Sequence, residues 1–245
     1  MGFIRQIAAL LFIVALPVAL ITTNIRIATN EPRVYAYAAD QYDTTETTGI
    51  PRGELLRASG AIRSYFRNDE ETLFIRVIDD EGARVPLFTS RETAHMRDVK
   101  NVLQTTFRVQ EVAVLFVLAY VVGVFIWARE ASLRLLATEI IIAGAVGLVA
   151  IGVIGTVAAV AFDPFWENFH GVLFENDFWQ LDPDRDHLIQ MFPEEFWRDV
   201  TIWIGIGTLA ELALLAAASA VYLGVTRRSG ETYAVAGSAR GLARP

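Results

Sequence analysis

FDPFWENFHGVLFENDFWQLDPDRDHLIQMFPEEFWRDV, residues Phe162–Val200, separates two long apolar runs, and its reading decides how the rest of the chain is placed. It holds two of the three histidines, His170 and His187, and mixes Trp166, Trp179 and Trp197 with a dense set of carboxylates. A plain connector between helices is short and polar. Alternation of bulky aromatics with acids instead suits a segment at a membrane surface with one wet face. Such a segment is a candidate for half of an active site.

Working outward, the apolar runs on either side are long enough to cross a bilayer, which takes about 20 residues. Downstream, Val200–Val225 carries Glu211 and stops at Arg227-Arg228. Upstream, Leu135–Phe162 carries Glu139 and the small residues Gly144, Gly147, Gly152 and Gly155, which favour close helix packing. Before it lies Val112–Trp127, ending in Trp127-Ala128-Arg129-Glu130, with Arg134 just beyond. The first run, Phe3–Thr23, contains Arg5 and Pro17. A cleaved signal peptide is its competing reading, but no small-x-small site follows Leu20, so an uncleaved anchor is expected.

The expected architecture is a mainly α membrane protein with four transmembrane helices (1–23, 111–128, 135–162 and 200–226). A small extracytoplasmic α+β insert (24–110) joins the first two, an aromatic interfacial loop (163–199) joins the last two, and a disordered cytoplasmic tail (227–245) follows. An apolar content of 53% and a mean hydropathy of +0.38 over 245 residues agree with this. The absence of cysteine rules out disulfides, thiolate nucleophiles and Cys-ligated metal. A net charge of −7 leaves no basic stripe to track nucleic acid. Arg5, the Arg129/Arg134 turn and Arg227/Arg228 carry the short-flank positive charge, which puts both termini in the cytoplasm and all three histidines outside.

Within the insert, Tyr35, Tyr37 and Tyr42 lead into QYDTTETTGIPRG, read as a loop. Leu55, Ser59, Ile62 and Phe66 space as an amphipathic helix within Pro51–Phe66. Thr72–Ile78 and Arg84–Phe88 pair as a hairpin around Asp79-Asp80-Glu81-Gly82. Thr89-Ser90-Arg91-Glu92 has capping-box spacing, so a helix starts there and runs into the second span.

No serine elbow, zinc-protease helix, phosphate loop or dinucleotide fingerprint is present. Histidine and carboxylate near a lipid surface remain, and histidine suits proton transfer near neutrality. On the helix before the second span, Arg91 and Asp98 flank His95 at i−4 and i+3, where Asp98 would orient the imidazole. A solvated helix face is the plainer alternative. His170 has Trp166 at i−4 and Glu167 at i−3; it is either a base tuned by apolar surroundings and Glu167, or a histidine facing headgroups. His187, among aspartates, reads as a surface residue. Glu211, inside a span, is expected to face protein. Phe165, Trp166, Trp179, Phe192 and Trp197 read as an interfacial belt.

ETAHMRDVK before the second span, and FHGVLFENDFWQLDP followed by LIQMFPEEFW before the fourth, resemble signature segments of the Lit-type lipoprotein intramolecular transacylases and related four-span bacterial membrane proteins. YAYAADQYDTTETTGI and ELLRASGAIRSYF are similar in order and spacing. The resemblance implies transfer of an acyl chain from the glyceryl group of a diacylglyceryl-cysteine lipoprotein to its own α-amino group, in the bacterial cell membrane. The implied partners are the lipoprotein and lipid acyl chains, with no metal, no cofactor and no activated acyl donor. The family's two histidines map onto His95 and His170 as catalytic residues, with Asp98, Arg91 and Glu167 in support. Two alternatives stand beside it: a non-enzymatic membrane partner or sensor, and a metal-dependent hydrolase built on His170, His187 and Asp182 or Asp186.

Overall fold

The computed structural model describes residues 2–126 and 130–241. Trp127-Ala128, the end of the expected second span, Arg129 of the basic turn and the last four residues of the tail lie outside the described residues. Nine helices and two strands are described, in the order α1 (Gly2–Asn30), α2 (Pro32–Gln41), α3 (Thr44–Thr48), α4 (Arg52–Tyr65), β1 (Arg76–Ile78), β2 (Arg84–Pro86), α5 (Ser90–Ile126), α6 (Glu130–Val160), α7 (Phe162–Leu173), α8 (His187–Met191) and α9 (Glu194–Gly241). Helices α1, α5, α6 and α9 are long and apolar enough to cross a membrane.

The chain divides into two compact units: residues to 20 with 111–152 and from 207 onward, and residues 21–110 with 153–206. The first unit is organised by the apolar parts of the long helices. Phe12 and Leu16 of α1 are buried with Leu136 and Ala143 of α6, and Phe12 stacks on Tyr120 of α5. Small residues bring backbones close: a Cβ at Gly147 would lie 2.5 Å from Leu212 Cδ1 and 3.1 Å from Pro17 Cβ. At Gly152 and Gly155, by contrast, a Cβ meets nothing within 4 Å, so only the first two of the four small positions serve close packing. Leu10, Val14, Leu115, Val122, Val149 and Leu214 are exposed, a surface that only lipid solvates without cost. Glu139 accepts a 2.9 Å hydrogen bond from Tyr120, which satisfies a carboxylate placed inside an apolar run.

The second unit packs the insert against the segment between α6 and α9. Leu55, Ile62 and Tyr65 from α4, Val77 from β1, Leu87, Met96 from α5, and Phe192 and Phe196 share one core. The hairpin is antiparallel, with Val77 opposite Val85, and Gly82 supplies the positive φ (83°) of its turn. Its strands are shorter than the sequence pattern suggests. QYDTTETTGIPRG is not an open loop: its threonines form α3, bounded by left-handed Asp43 and Gly49. Phe162–Val200 is likewise largely helical, because Phe162, Trp166 and His170 recur at helical spacing and Glu194 opens α9 six residues before the expected span. Helix α1 continues to Asn30, and α9 continues past Arg227 to Gly241, where the tail was read as disordered.

Candidate active site

Helix α5 begins on the predicted capping box: Thr89 N–H donates to Glu92 Oε2 (2.7 Å) and Glu92 N–H to Thr89 Oγ1 (3.3 Å). The same carboxylate is fully buried, and its Oε1 accepts the backbone N–H of Leu188 at 2.6 Å. Glu92 thus ties the start of α5 to α8. Sequence reasoning found its capping role but not this long-range bond, which has no local signature. With 37 residues α5 is about 55 Å long, against about 30 Å of hydrocarbon. Since its apolar part begins at Val112, about the first six turns lie outside the apolar span, and His95 sits in the second of them.

His170 occupies the last turn of α7. Its Nδ1 lies 2.8 Å from the carbonyl oxygen of Trp166. A carbonyl only accepts, so Nδ1 carries the proton, and in the neutral ring the lone pair is fixed on Nε2. The His170 and His95 rings are 6.0 Å apart, centre to centre, and inclined by 36°. Each residue is only 7% exposed. Aromatic rings wall the pair: Trp166 at 4.5 Å from His170, Trp179 stacked on it at 5.0 Å, and Phe174 at 5.3 Å from His95 and 5.6 Å from His170. His95 Nδ1 is buried with no hydrogen-bond partner. A buried polar atom without a partner costs stability, so its retention points to a ligand.

Burial sets the electrostatics. It is the main reason the His95 pKa falls to about 4; the neighbouring His170 lowers it further and Asp98 opposes the fall. His170 is also lowered, again mainly by burial, against the opposing bond to Trp166. Both imidazoles are therefore neutral at physiological pH.

The supporting residues differ from the sequence expectation. Asp98 makes no hydrogen bond to His95; its Oδ2 accepts from Asn176 Nδ2 at 2.8 Å, because the segment after α7 passes over that face of α5. Arg91 donates to the Asp177 carbonyl and lies 3.7 Å from the Asp177 carboxylate. Glu167 is exposed, and the Nδ1 of His170 turns back along α7 onto the Trp166 carbonyl instead. His187 is not a free surface residue: Nδ1 bonds the Leu87 carbonyl at 2.7 Å. Asp186, one of the candidate metal ligands, is buried and accepts the Asp182 N–H. Among the described residues, no three His, Asp or Glu side chains gather in a way that could hold a metal ion. Trp166 and Trp179, read as an interfacial belt, wall the histidine pair, and Phe192 lies in the core.

The sequence pattern of the family "Lipoprotein intramolecular transacylase Lit" matches residues 10–197. An uncharacterized protein from Aquifex aeolicus (strain VF5) is 25% identical over 205 residues, covering 82% of this chain and 88% of that one. The in meso structure of the membrane-integral lipoprotein intramolecular transacylase Lit from Bacillus cereus superposes with a TM-score of 0.73 at 19% identity, covering 94% of this chain and all (100%) of that one. A variant of that protein with one histidine replaced by arginine gives 0.71 at 17% identity, covering 94% and 96%.

Proposed function

The chain belongs to the lipoprotein intramolecular transacylase Lit family of multi-pass membrane acyltransferases, and from that premise we propose a specific reaction for it. The protein moves an acyl chain from the glyceryl group of a diacylglyceryl-cysteine lipoprotein to that cysteine's α-amino group. A C–N bond forms, the ester C–O bond breaks, and the proton lost by nitrogen ends on the glyceryl oxygen. Ester to amide is downhill, and both groups belong to one substrate, so the protein's task is proximity and proton handling.

The observation that carries this reading is a pair of buried, neutral histidines, 6.0 Å apart, with open ring nitrogens in an aromatic chamber. His170 is the base: its Nε2 lone pair takes the amine proton as nitrogen attacks the carbonyl, then returns it to the departing glyceryl oxygen. A depressed pKa makes it a weaker base but keeps the lone pair available at every physiological pH. His95 supplies a ring N–H to the oxygen of the tetrahedral intermediate, a donor worth most where water is excluded. Asp98 supports the pair through its charge and through Asn176 rather than by direct contact. The short-flank arginines favour cytoplasmic termini and an extracytoplasmic site, the side on which mature lipoprotein N-termini lie.

The test is expression in a host whose lipoproteins carry only the diacyl form, followed by tandem mass spectrometry of a reporter N-terminus. Intramolecular transfer leaves the mass unchanged, so fragment ions must place one acyl chain on nitrogen. A reporter whose chains both stay on glyceryl, with the protein present in the membrane, contradicts the reading.

A further inference from the structure

The histidine pair is closed off by a segment that has no regular structure of its own. Residues 174–180 follow α7 without helix or strand, yet they carry Phe174 and Trp179, two of the rings that bury His95 and His170. Between those rings stand Asn176 and Asp177. Asn176 Nδ2 donates to Asp98 (2.8 Å) while its Oδ1 accepts the Phe178 N–H (3.1 Å), so the amide is used at both ends. The Asp177 carbonyl accepts from Arg91. Arg91 and Asp98 are two turns apart on α5, on the face that carries His95. The fastening points therefore stand on either side of His95 along α5, and the segment they fasten carries two of the rings.

We propose that Arg91, Asp98 and Asn176 are positioning residues forming a clasp that holds Phe174 and Trp179 closed over the histidines, so that the acyl group passes to the amine and not to water. The function assigned to the clasp rests on the transacylase reading; its geometry does not. An ester carbonyl cannot reach two rings that are 7% exposed unless something moves. A short irregular segment is the element that moves without unfolding a helix. Its outer fastening is weak by nature, since Arg91 and Asp177 are 41% and 70% exposed and 3.7 Å apart. The inner one is the part-buried Asn176–Asp98 bond. Once shut over the substrate, the aromatic cover excludes water. If water entered, its oxygen would take the carbonyl carbon in place of the amine. A free fatty acid and a lyso lipoprotein with an unmodified amine would be released, the glyceryl oxygen leaving with a proton.

The test uses the full-length protein in detergent micelles and diethylpyrocarbonate, which modifies solvent-accessible neutral imidazoles, with rates read separately at each histidine by peptide mass spectrometry. His187, on the Leu87 carbonyl, is the internal reference. Asn176→Ala is expected to accelerate labelling of His95 and His170 by roughly tenfold relative to His187, as a local opening would. The exchange Asp98→Asn with Asn176→Asp rebuilds the bond between positions 98 and 176 with donor and acceptor reversed, leaves residue 176 accepting the Phe178 N–H, and should restore wild-type rates. On the reporter lipoprotein, Asn176→Ala should raise released fatty acid relative to N-acyl product, and the exchange should reverse that. Unchanged rates in Asn176→Ala overturn the clasp, as does an exchange variant that labels as fast as Asn176→Ala. Should Asn176→Ala accelerate all three histidines together, the exchange variant decides in the same way. Absence of acyl transfer by the wild-type protein would remove the transacylase reading, while the labelling, which needs no turnover, still decides the clasp.

Discussion

His187 and His95 belong to the same compact unit, and their fates differ. His187 spends its Nδ1 on the Leu87 carbonyl and helps fix α8 beside the bond from Leu188 N–H to Glu92. His95 is buried with Nδ1 unpaired, faces a second histidine, and is ringed by aromatics. One region has every polar atom named above committed to structure; the other keeps an uncommitted one at a cost. The difference teaches that a histidine's role here follows from which ring atoms are already used, not from how acidic its sequence neighbours are. By neighbours alone, His95 and His187 both have a plain surface reading.

That comparison can be broken most forcefully at the pair. His170→Ala should lower transfer to the reporter by about a thousandfold, and His95→Ala by about a hundredfold, the ranges expected for a general base and for an oxyanion donor. Neither should much change thermal unfolding in detergent. On the structural side, Glu92→Ala strands the Leu188 and Thr89 N–H groups and should cost about 3 kcal/mol of stability, read as a lower unfolding temperature. His187→Ala removes one bond to a carbonyl and should cost about 1 kcal/mol while leaving transfer intact. The smallest effect is in pH. The folded-state pKa values of His95 (about 4) and His170 lie below the ordinary histidine value of 6.5, so both rings stay neutral as pH falls through 6.5. The acid limb of the pH–rate profile should therefore lie below pH 6.5. A limb at or above that value would show that the pair is solvated during turnover.

Much of this architecture was legible in the chain. Runs such as Leu135–Phe162 announce a span by length and apolarity alone, and Thr89-x-x-Glu92 announces a helix start, because both signals are local. The orientation rule even put His95 and His170 on one side before any contact was known. The partners of those histidines were not legible. Asp98 lies 78 residues from Asn176, and Glu92 lies 96 from Leu188, so neither pairing leaves a periodic trace. Spacing on α5 correctly placed Arg91, His95 and Asp98 on one face, but only the tertiary fold says that two of them face the cover. Trp166 and Trp179 were misread for a related reason: a ring lining a chamber and a ring lying in a headgroup layer have the same local pattern. The extra helix α3 escaped because a threonine-rich run argues for a loop until a core fixes it.

The most direct measurement sets the two kinds of histidine against each other in one assay. Tandem mass spectrometry of the reporter lipoprotein would follow co-expression with wild-type protein, His170→Ala or His187→Ala at matched membrane levels. The account predicts an N-acylated, lyso-glyceryl reporter with wild type and with His187→Ala, and an unmodified diacyl reporter with His170→Ala. Full transfer by His170→Ala, or equal loss in both variants, would contradict it.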